Sequence, residues 1–313
     1  MDRRLVTVFG GAGFIGRHLV RRLAASGWIV RVGCRDVEAA QFLVPLGDPG
    51  QIVTLPADIT QPDTVAALVD GADAVVNLVG ILYERRRRTF QQIHVDGAAT
   101  VAQAAAAAGA ARFVQMSAIG SDPASDAAYG RTKAAGEKAV REAFPEATVL
   151  RPSVVFGPED DFFNRFAVLA RFLPMLPVFQ TAFQPVYVGD VAEAARKALE
   201  DPAMDGNTYE LGGPRVISFR EVMELLMAET ARKCLLVPIP LAVASLEATF
   251  LEWLPEPPLT RDQVKLLAND NVVSEGALTF ADLGIEPTAV EAIIPTYLHR
   301  YRPQVRQRRR SAE

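Results

Sequence analysis

Cysteine is nearly absent. The 313 residues contain two, Cys34 and Cys234, far apart and outside any CxxC spacing. That scarcity excludes a disulfide-stapled scaffold, and both thiols read as small hydrophobes of a chain suited to a reducing compartment. Histidine is as scarce: His18, His94 and His299 show no ligand spacing, so no metal is expected. Charge of neither sign dominates. A net charge of −4 and a pI near 5.6 argue against a general nucleic-acid binder. Nor is there an unbroken apolar run able to span a bilayer. The longest candidate, "CLLVPIPLAVASLEATFLEWL" from Cys234, is broken by Pro238 and Pro240 and carries Glu247 and Glu252. The opening "MDRRLVTVFGG" enters a strand pattern almost at once, leaving no room for a targeting segment.

What is present suffices for a large core. Half of the residues are hydrophobic, enough for one large domain or two intimately joined ones. Strands are expected near 5–9, 29–34, 52–55, 74–78, 112–117 and 148–151, separated by helical patterns such as "FIGRHLVRRLAASG" and "GAATVAQAAAAAGA". This alternation predicts an α/β fold, a doubly wound parallel sheet with helices on both faces. The strands are continuous apolar runs ("AVVNLV", "RFVQMS"), as covered faces require. After Pro152 proline becomes frequent, and "PMLPVFQTAFQP" and "LPEPPL" read as connectors. A helix near 190–200 and a strand near 208–211 follow, then mainly helices, including "SFREVMELLMAETA" with Ser218 and Glu221 at capping-box spacing. The expected division is a nucleotide domain over 1–152 with a return segment at about 184–212, a smaller, mainly helical lobe over 153–183 and 213–300, and a basic tail over 301–313.

"TVFGGAGFIGRHLV" sets Gly10, Gly13 and Gly16 between the first strand and the first helix. The order strand, glycine turn, helix separates a dinucleotide site from a chance run of glycines. Gly10 would make the tight turn, and Gly13 would let the backbone approach a pyrophosphate seated on the helix N-terminus. Gly16 would let helix and strand pack closely. Phe14 and Ile15 join this cofactor-binding set. At the end of the second strand, "RVGCRD", an acid suits the ribose 2′-hydroxyl of NAD(H) and an arginine the 2′-phosphate of NADP(H). Arg35 takes that position and Arg17 adds a second guanidinium, so NADP(H) is favoured over NAD(H). A slip of one residue would make Asp36 decisive instead. Asp58, with Ile59, follows the third strand, where it would meet the adenine. Asn77, Leu78, Val79 and Gly80 end the fourth, beside the nicotinamide ribose, and Pro152 at the sixth strand belongs with them.

"DAAYGRTKAAGEKAV" places Tyr129 and Lys133 four apart on a helix, hence on one face. A nearby ammonium would draw the phenol pKa down toward the working range, and the same lysine can bond the nicotinamide ribose. Ser117, at the end of the fifth strand, could hold a substrate carbonyl.

In this order, GGAGFIG, Asp58, "NLVG", Ser117, "YGRTK" and "RPSVVFGP" resemble the extended and atypical short-chain dehydrogenase/reductases. The resemblance implies a Rossmann-type fold with a smaller C-terminal substrate lobe, Tyr129 as acid/base, Lys133 as its partner and Ser117 as substrate-orienting group. One departure is that Ala118 follows Ser117, where many extended members carry further hydroxyl residues. A narrower resemblance covers nearly the whole chain. "NLVGILYERRRRTFQQIHVDGA", "RPSVVFGPEDDFFNRFA" and "LPEPPLTRDQVKLLANDNVV" look like the NADPH-binding accessory subunit family of respiratory complex I and its bacterial relatives. It implies a nucleotide held mainly as a structural cofactor, complex I subunits as partners, and Tyr129 and Lys133 as cofactor ligands. Related proteins are linked to ubiquinone biosynthesis, which implies the alternative of an NADP-dependent reductase, epimerase or dehydratase using Ser117, Tyr129 and Lys133.

Two basic features suit a docked protein: the arginine run at 85–88 and six arginines between Arg300 and Arg310. Either could meet acidic partners or anionic lipid, or simply be solvated. The stretch from Pro240 to Trp253 reads as core of the smaller lobe, or as an amphipathic helix at a membrane surface bearing lipid or quinone. The expected location is peripheral, on the inner face of a bacterial cytoplasmic membrane, or on the matrix side if organellar. "RDQVKLLANDNVV" reads as a helix and a turn, with no physical reason to bind anything.

Overall fold

The computed structural model describes residues 4–85, 88–254 and 257–303. Arg86 and Arg87 of the arginine run, residues 304–313 of the basic tail and the first three residues lie outside that description. Six strands carry the first half of the chain: β1 (Leu5–Phe9), β2 (Ile29–Cys34), β3 (Ile52–Pro56), β4 (Ala74–Asn77), β5 (Arg112–Met116) and β6 (Thr148–Pro152). Each lies within a residue of its expected bounds. A seventh strand, Thr208–Leu211, pairs with β6. The sheet is parallel throughout, in the order β3, β2, β1, β4, β5, β6, then Thr208–Leu211. Val6, Val8, Val30, Val32, Val75 and Val76 are fully buried. Those β-branched runs are what a sheet covered on both faces demands.

Helix α1 (Phe14–Ala25) packs on one face of the sheet. Helices α2 (Pro62–Val69), α3 (Gly97–Ala107) and α4 (Ala128–Ala143) pack on the other. Strand order reverses between β1 and β4, so the crevice outside their C-terminal ends is the switch point at which sheets of this kind bind ligands.

The chain then leaves the sheet for α5 (Phe162–Phe172), returns through α6 (Val188–Ala198), which packs beside α1, and leaves again. Helices α7 (Phe219–Thr230), α8 (Leu241–Leu251), α9 (Arg261–Leu266) and α10 (Val290–Leu298) complete a second core around Phe156, Phe163, Phe179, Phe183 and Phe219. Its rings meet edge-on, as with Phe166 and Phe219 at 5.5 Å, an arrangement the ring quadrupoles favour. Helix α7 begins with the expected capping box: Glu221 N–H donates to Ser218 Oγ, and Ser218 N–H to the Glu221 carboxylate at 2.7 Å. The stretch read as core or as an amphipathic helix is α8. It buries Ala244 and Ala248, while Leu246 and Phe250 are 63% and 67% exposed. It is a surface helix with an apolar outward side. No described helix is long and apolar enough to cross a membrane.

"RDQVKLLANDNVV" has a structural task. Asn271 accepts from Ser153 Oγ at 2.7 Å and from Val154 N–H at 3.1 Å, and its amide donates to the Ile119 carbonyl at 3.4 Å. Its backbone joins Ala182 and Gln184, so one residue ties the C-terminal lobe to the ends of β5 and β6. Removing such a side chain leaves half-buried donors and acceptors unpaired. Asn271→Ala is therefore expected to cost about 2–3 kcal/mol. Urea unfolding checks it: a lower midpoint at unchanged slope is predicted, and a change under about 0.5 kcal/mol would contradict the clasp.

Candidate functional site

The sequence-predicted residues gather at the C-terminal edge of the sheet. Gly10 follows β1 with φ +78°, a left-handed turn that glycine makes without strain. Gly13 caps α1, and its N–H donates to the Gly10 carbonyl at 3.0 Å. A methyl group on Gly16 would lie 2.3 Å from the Gly10 carbonyl oxygen and 2.6 Å from Gly11. Only glycine fits there. Phe14 turns its ring toward Gly157 and His18, and Ile15 packs on the core, so both offer the crevice their backbone N–H groups. The free N–H groups of the first turn of α1, with the helix dipole behind them, suit an anion such as a pyrophosphate. Gly11 was missed in the sequence reading; its Cβ would meet Val32 at 2.8 Å.

Arg35 is exposed just past β2. Asp36 spends a carboxylate oxygen on the Ala39 N–H at 2.9 Å. Arg17 stands in the first turn of α1, 3.9 Å from Glu159 and 4.9 Å over the Phe42 ring. Past β3, Asp58 accepts from Thr60 N–H and Oγ and from Arg88 Nη2 at 3.1 and 3.3 Å. Ile59 is core, packed beneath Gly97, which leaves only its backbone for a ligand. Asn77 is fully buried, donating to Gln115 and accepting from Val79 N–H, so its side chain shapes the bend after β4. Pro152 is buried at the end of β6, where its carbonyl accepts from Ile119 N–H.

At the other end of the crevice, α4 presents Tyr129 and Lys133 as the spacing predicts. Lys133 Nζ donates to the Met116 carbonyl at 3.2 Å and lies 5.9 Å from the centre of the Tyr129 ring. A methyl on Gly80 would lie 3.3 Å from that nitrogen, so the lysine sits directly under the loop after β4. The Tyr129 ring stands edge-on to His94 at 5.3 Å and to Phe90 at 5.9 Å. The expected lowering of the phenol is not found: burial pushes Tyr129 up to about 12, and the lysine does not offset it. Lys133 itself is pulled down to about 8 by burial, against the opposing pull of Glu137. The two groups share a face, but the ammonium faces the ring. Desolvation therefore dominates both.

Ser117 is also committed. Its hydroxyl donates to Glu137 and lies 2.9 Å from Ser121 Oγ. Arg151 grips both oxygens of Glu137 at 2.9 and 2.6 Å and reaches Glu210 at 3.4 Å. The network locks α4 to β6 and engages the hydroxyl assigned to a substrate. Asp262, at the start of α9, accepts from the Ala128 and Tyr129 N–H groups at 2.6 and 3.0 Å. An acid at a helix N-terminus is favourable, and here it fastens the lobe to the tyrosine-bearing turn. Sequence reading passed over Asp262, Glu137 and His94. Asp262 had a signal, since Thr260 and Gln263 beside it form a capping box. Glu137 had only its place one turn beyond Lys133.

His94 is buried between the loop after β4 and α4. Its Nε2 accepts from Ile81 N–H at 3.1 Å, so Nδ1 donates to Thr132 Oγ, also at 3.1 Å. Burial, aided by Lys133, lowers it from 6.5 to about 3 despite the Ile81 bond. Between those values the unfolded chain takes up a proton that the folded chain refuses, so stability falls as pH drops through that window. Removing the imidazole in His94→Gln is expected to flatten that acid limb in denaturant melts run from pH 7 to pH 4. Parallel limbs for variant and parent would contradict it.

The chain is 36% identical over 313 residues to NADH dehydrogenase (ubiquinone) 1 alpha subcomplex subunit 9, mitochondrial, of Arabidopsis thaliana, covering 95% of this chain and 78% of that one. It is 33% identical over 299 residues to the NADH-ubiquinone oxidoreductase 40 kDa subunit, mitochondrial, of Neurospora crassa, covering 95% and 79%. A solved structure described as MoeE5 in complex with UDP-glucose and NAD shares the fold, with a TM-score of 0.70 at 18% identity over 94% of this chain and 97% of that one. Residues 6–212 match the NAD dependent epimerase/dehydratase family. By that match the chain belongs to the NAD dependent epimerase/dehydratase family, whose cofactor is a nicotinamide dinucleotide.

Proposed function

We propose that this chain is an NADP(H)-binding accessory subunit of a respiratory NADH:quinone oxidoreductase, in which the nucleotide serves mainly as a structural element. The observation that carries the reading is the extent of the likeness. Relatives described as subunits of NADH dehydrogenase and NADH-ubiquinone oxidoreductase align over 95% of the chain, well past the residues 6–212 of the family match. The MoeE5 structure shares the fold over 94% of the chain at only 18% identity, so it is identity of 33–36% held over that length that favours the subunit reading.

The site supports the same reading. Burial raises Tyr129 where an acid/base pair would have it lowered, Ser117 is engaged by Glu137, and Asp262 pins the lobe against the start of α4. Tyr129 and Lys133 then act as walls and ligands of the nicotinamide end. Arg35 and Arg17 take the 2′-phosphate, since the Asp36 carboxylate is turned to Ala39. A nucleotide that binds only the folded state stabilises it by mass action, and so works as a staple across the crevice. The location is peripheral, on the cytoplasmic face of a bacterial membrane or the matrix side of an organellar one. The exposed Leu246, Phe250 and Trp253 offer partner subunits an apolar contact, with anionic lipid or quinone at its margin.

Gentle solubilisation of native membranes, separation on a native gel and mass spectrometry test the proposal. Co-migration with the subunits of an NADH:quinone oxidoreductase is expected, with Arg35→Ala lost from the band and Tyr129→Phe retained. Migration alone, with a hydride transfer that Tyr129→Phe abolishes, would overturn it in favour of an NADP-dependent reductase, epimerase or dehydratase.

A further inference from the structure

Arg88 lies far along the chain from the glycine turn and the end of β2, yet its guanidinium reaches the adenosine end of the crevice. Nη2 lies 3.1 and 3.3 Å from the two oxygens of Asp58. The Ala57 N–H bonds the Cys34 carbonyl at 2.9 Å, and Cys34 pairs with Pro56, so Asp58 and Arg35 leave neighbouring strand ends. Arg35 and Ala57 thus follow the last paired residues about one strand spacing apart, roughly 5 Å, and Asp58 is the next residue along. Arg35, exposed there, has no acid bonded to it among the described residues. The Arg88–Asp58 pair is mostly sheltered, with side chains 28% and 24% exposed. Glu84, the acid nearest Arg88 along its own segment, is turned to the Phe90 N–H at 2.7 Å.

We propose that Arg88 recognises the nucleotide, neutralising Asp58 and so making the adenosine end of the crevice a site for the 2′-phosphate of NADP(H). This rests on the nucleotide-binding reading above. An unpaired carboxylate beside Arg35 would repel a phosphate and would suit a free ribose hydroxyl instead. With Arg88 on it, the trio Arg35, Asp58 and Arg88 carries a net positive charge. Among the described residues Arg88 engages Asp58 through Nη2, and the other N–H donors of its planar fork are available in kind to phosphate oxygens. Asp58 is fixed in place by Thr60, which bonds it through N–H at 3.0 Å and Oγ at 2.9 Å, and the acid in turn holds the arginine at the crevice.

The test is fluorescence titration of the purified full chain with NADPH and with NADH, alongside nucleotide-free melting curves to establish folding. Arg88→Ala is expected to weaken NADPH binding about tenfold or more, and NADH binding much less. Arg88→Lys, which keeps the charge, should retain most of the preference. The double variant Asp58→Asn/Arg88→Ala, lacking the repelling acid, should recover part of the NADPH affinity. Equal losses for both nucleotides, or none, in folded Arg88→Ala would overturn the inference. If Arg35→Ala lowers NADPH binding selectively and Arg88→Ala does not, this inference fails while the cofactor reading stands. A parent chain that binds neither nucleotide would sink both.

Discussion

The approach of α1 to the end of β1 at Gly16, where a single methyl would collide with the Gly10 carbonyl, sets the geometry on which the rest depends. It aims the first turn of the helix, with its unpaired N–H groups, at the crevice where the strand order reverses. The ends of β2, β3 and β4 then bring Arg35, Asp58 and Gly80 to the rim of that crevice, and α4 brings Tyr129 and Lys133. The C-terminal lobe does not stand free above them. Asn271 ties it to β5 and β6, and Asp262 ties it to α4, so the lobe and the nucleotide site are one mechanical unit.

The buried charges are arranged for rigidity. Glu137 and Glu210 share Arg151, and taking such groups out of water costs more than their attraction returns unless each is well bonded. Here the bonds are supplied, and the arrangement fixes α4 and β6 relative to each other. It also engages the Ser117 hydroxyl. Burial, meanwhile, raises Tyr129 above its ordinary range.

Much of this was legible in the sequence because it is local. Strand bounds followed from apolar runs, the cofactor turn from glycine spacing, and the α7 cap from Ser218 and Glu221. The direction of the Tyr129 shift was not legible. A four-residue spacing puts two groups on one face but says nothing of whether the ammonium meets the hydroxyl or the ring. Asn271 was opaque for another reason: its partners, Ile119, Ser153 and Val154, are more than a hundred residues away in sequence. Arg88 lay inside a charge run whose simplest reading was solvation, and only the fold carries it to Asp58. The Pro240–Trp253 stretch carried two readings, core or amphipathic surface helix, because apolar composition suits either; α8 buries Ala244 and Ala248 in the second core and exposes Leu246 and Phe250.

The central claim is that the nucleotide is a retained structural part of this protein. It is tested most directly by purifying the chain without added cofactor, dialysing it, denaturing it and identifying what is released. The account predicts NADP(H) in amounts stoichiometric with the protein, and a lower melting temperature once it has been stripped. A chain that comes through dialysis without nucleotide and melts at the same temperature as the loaded form would contradict it.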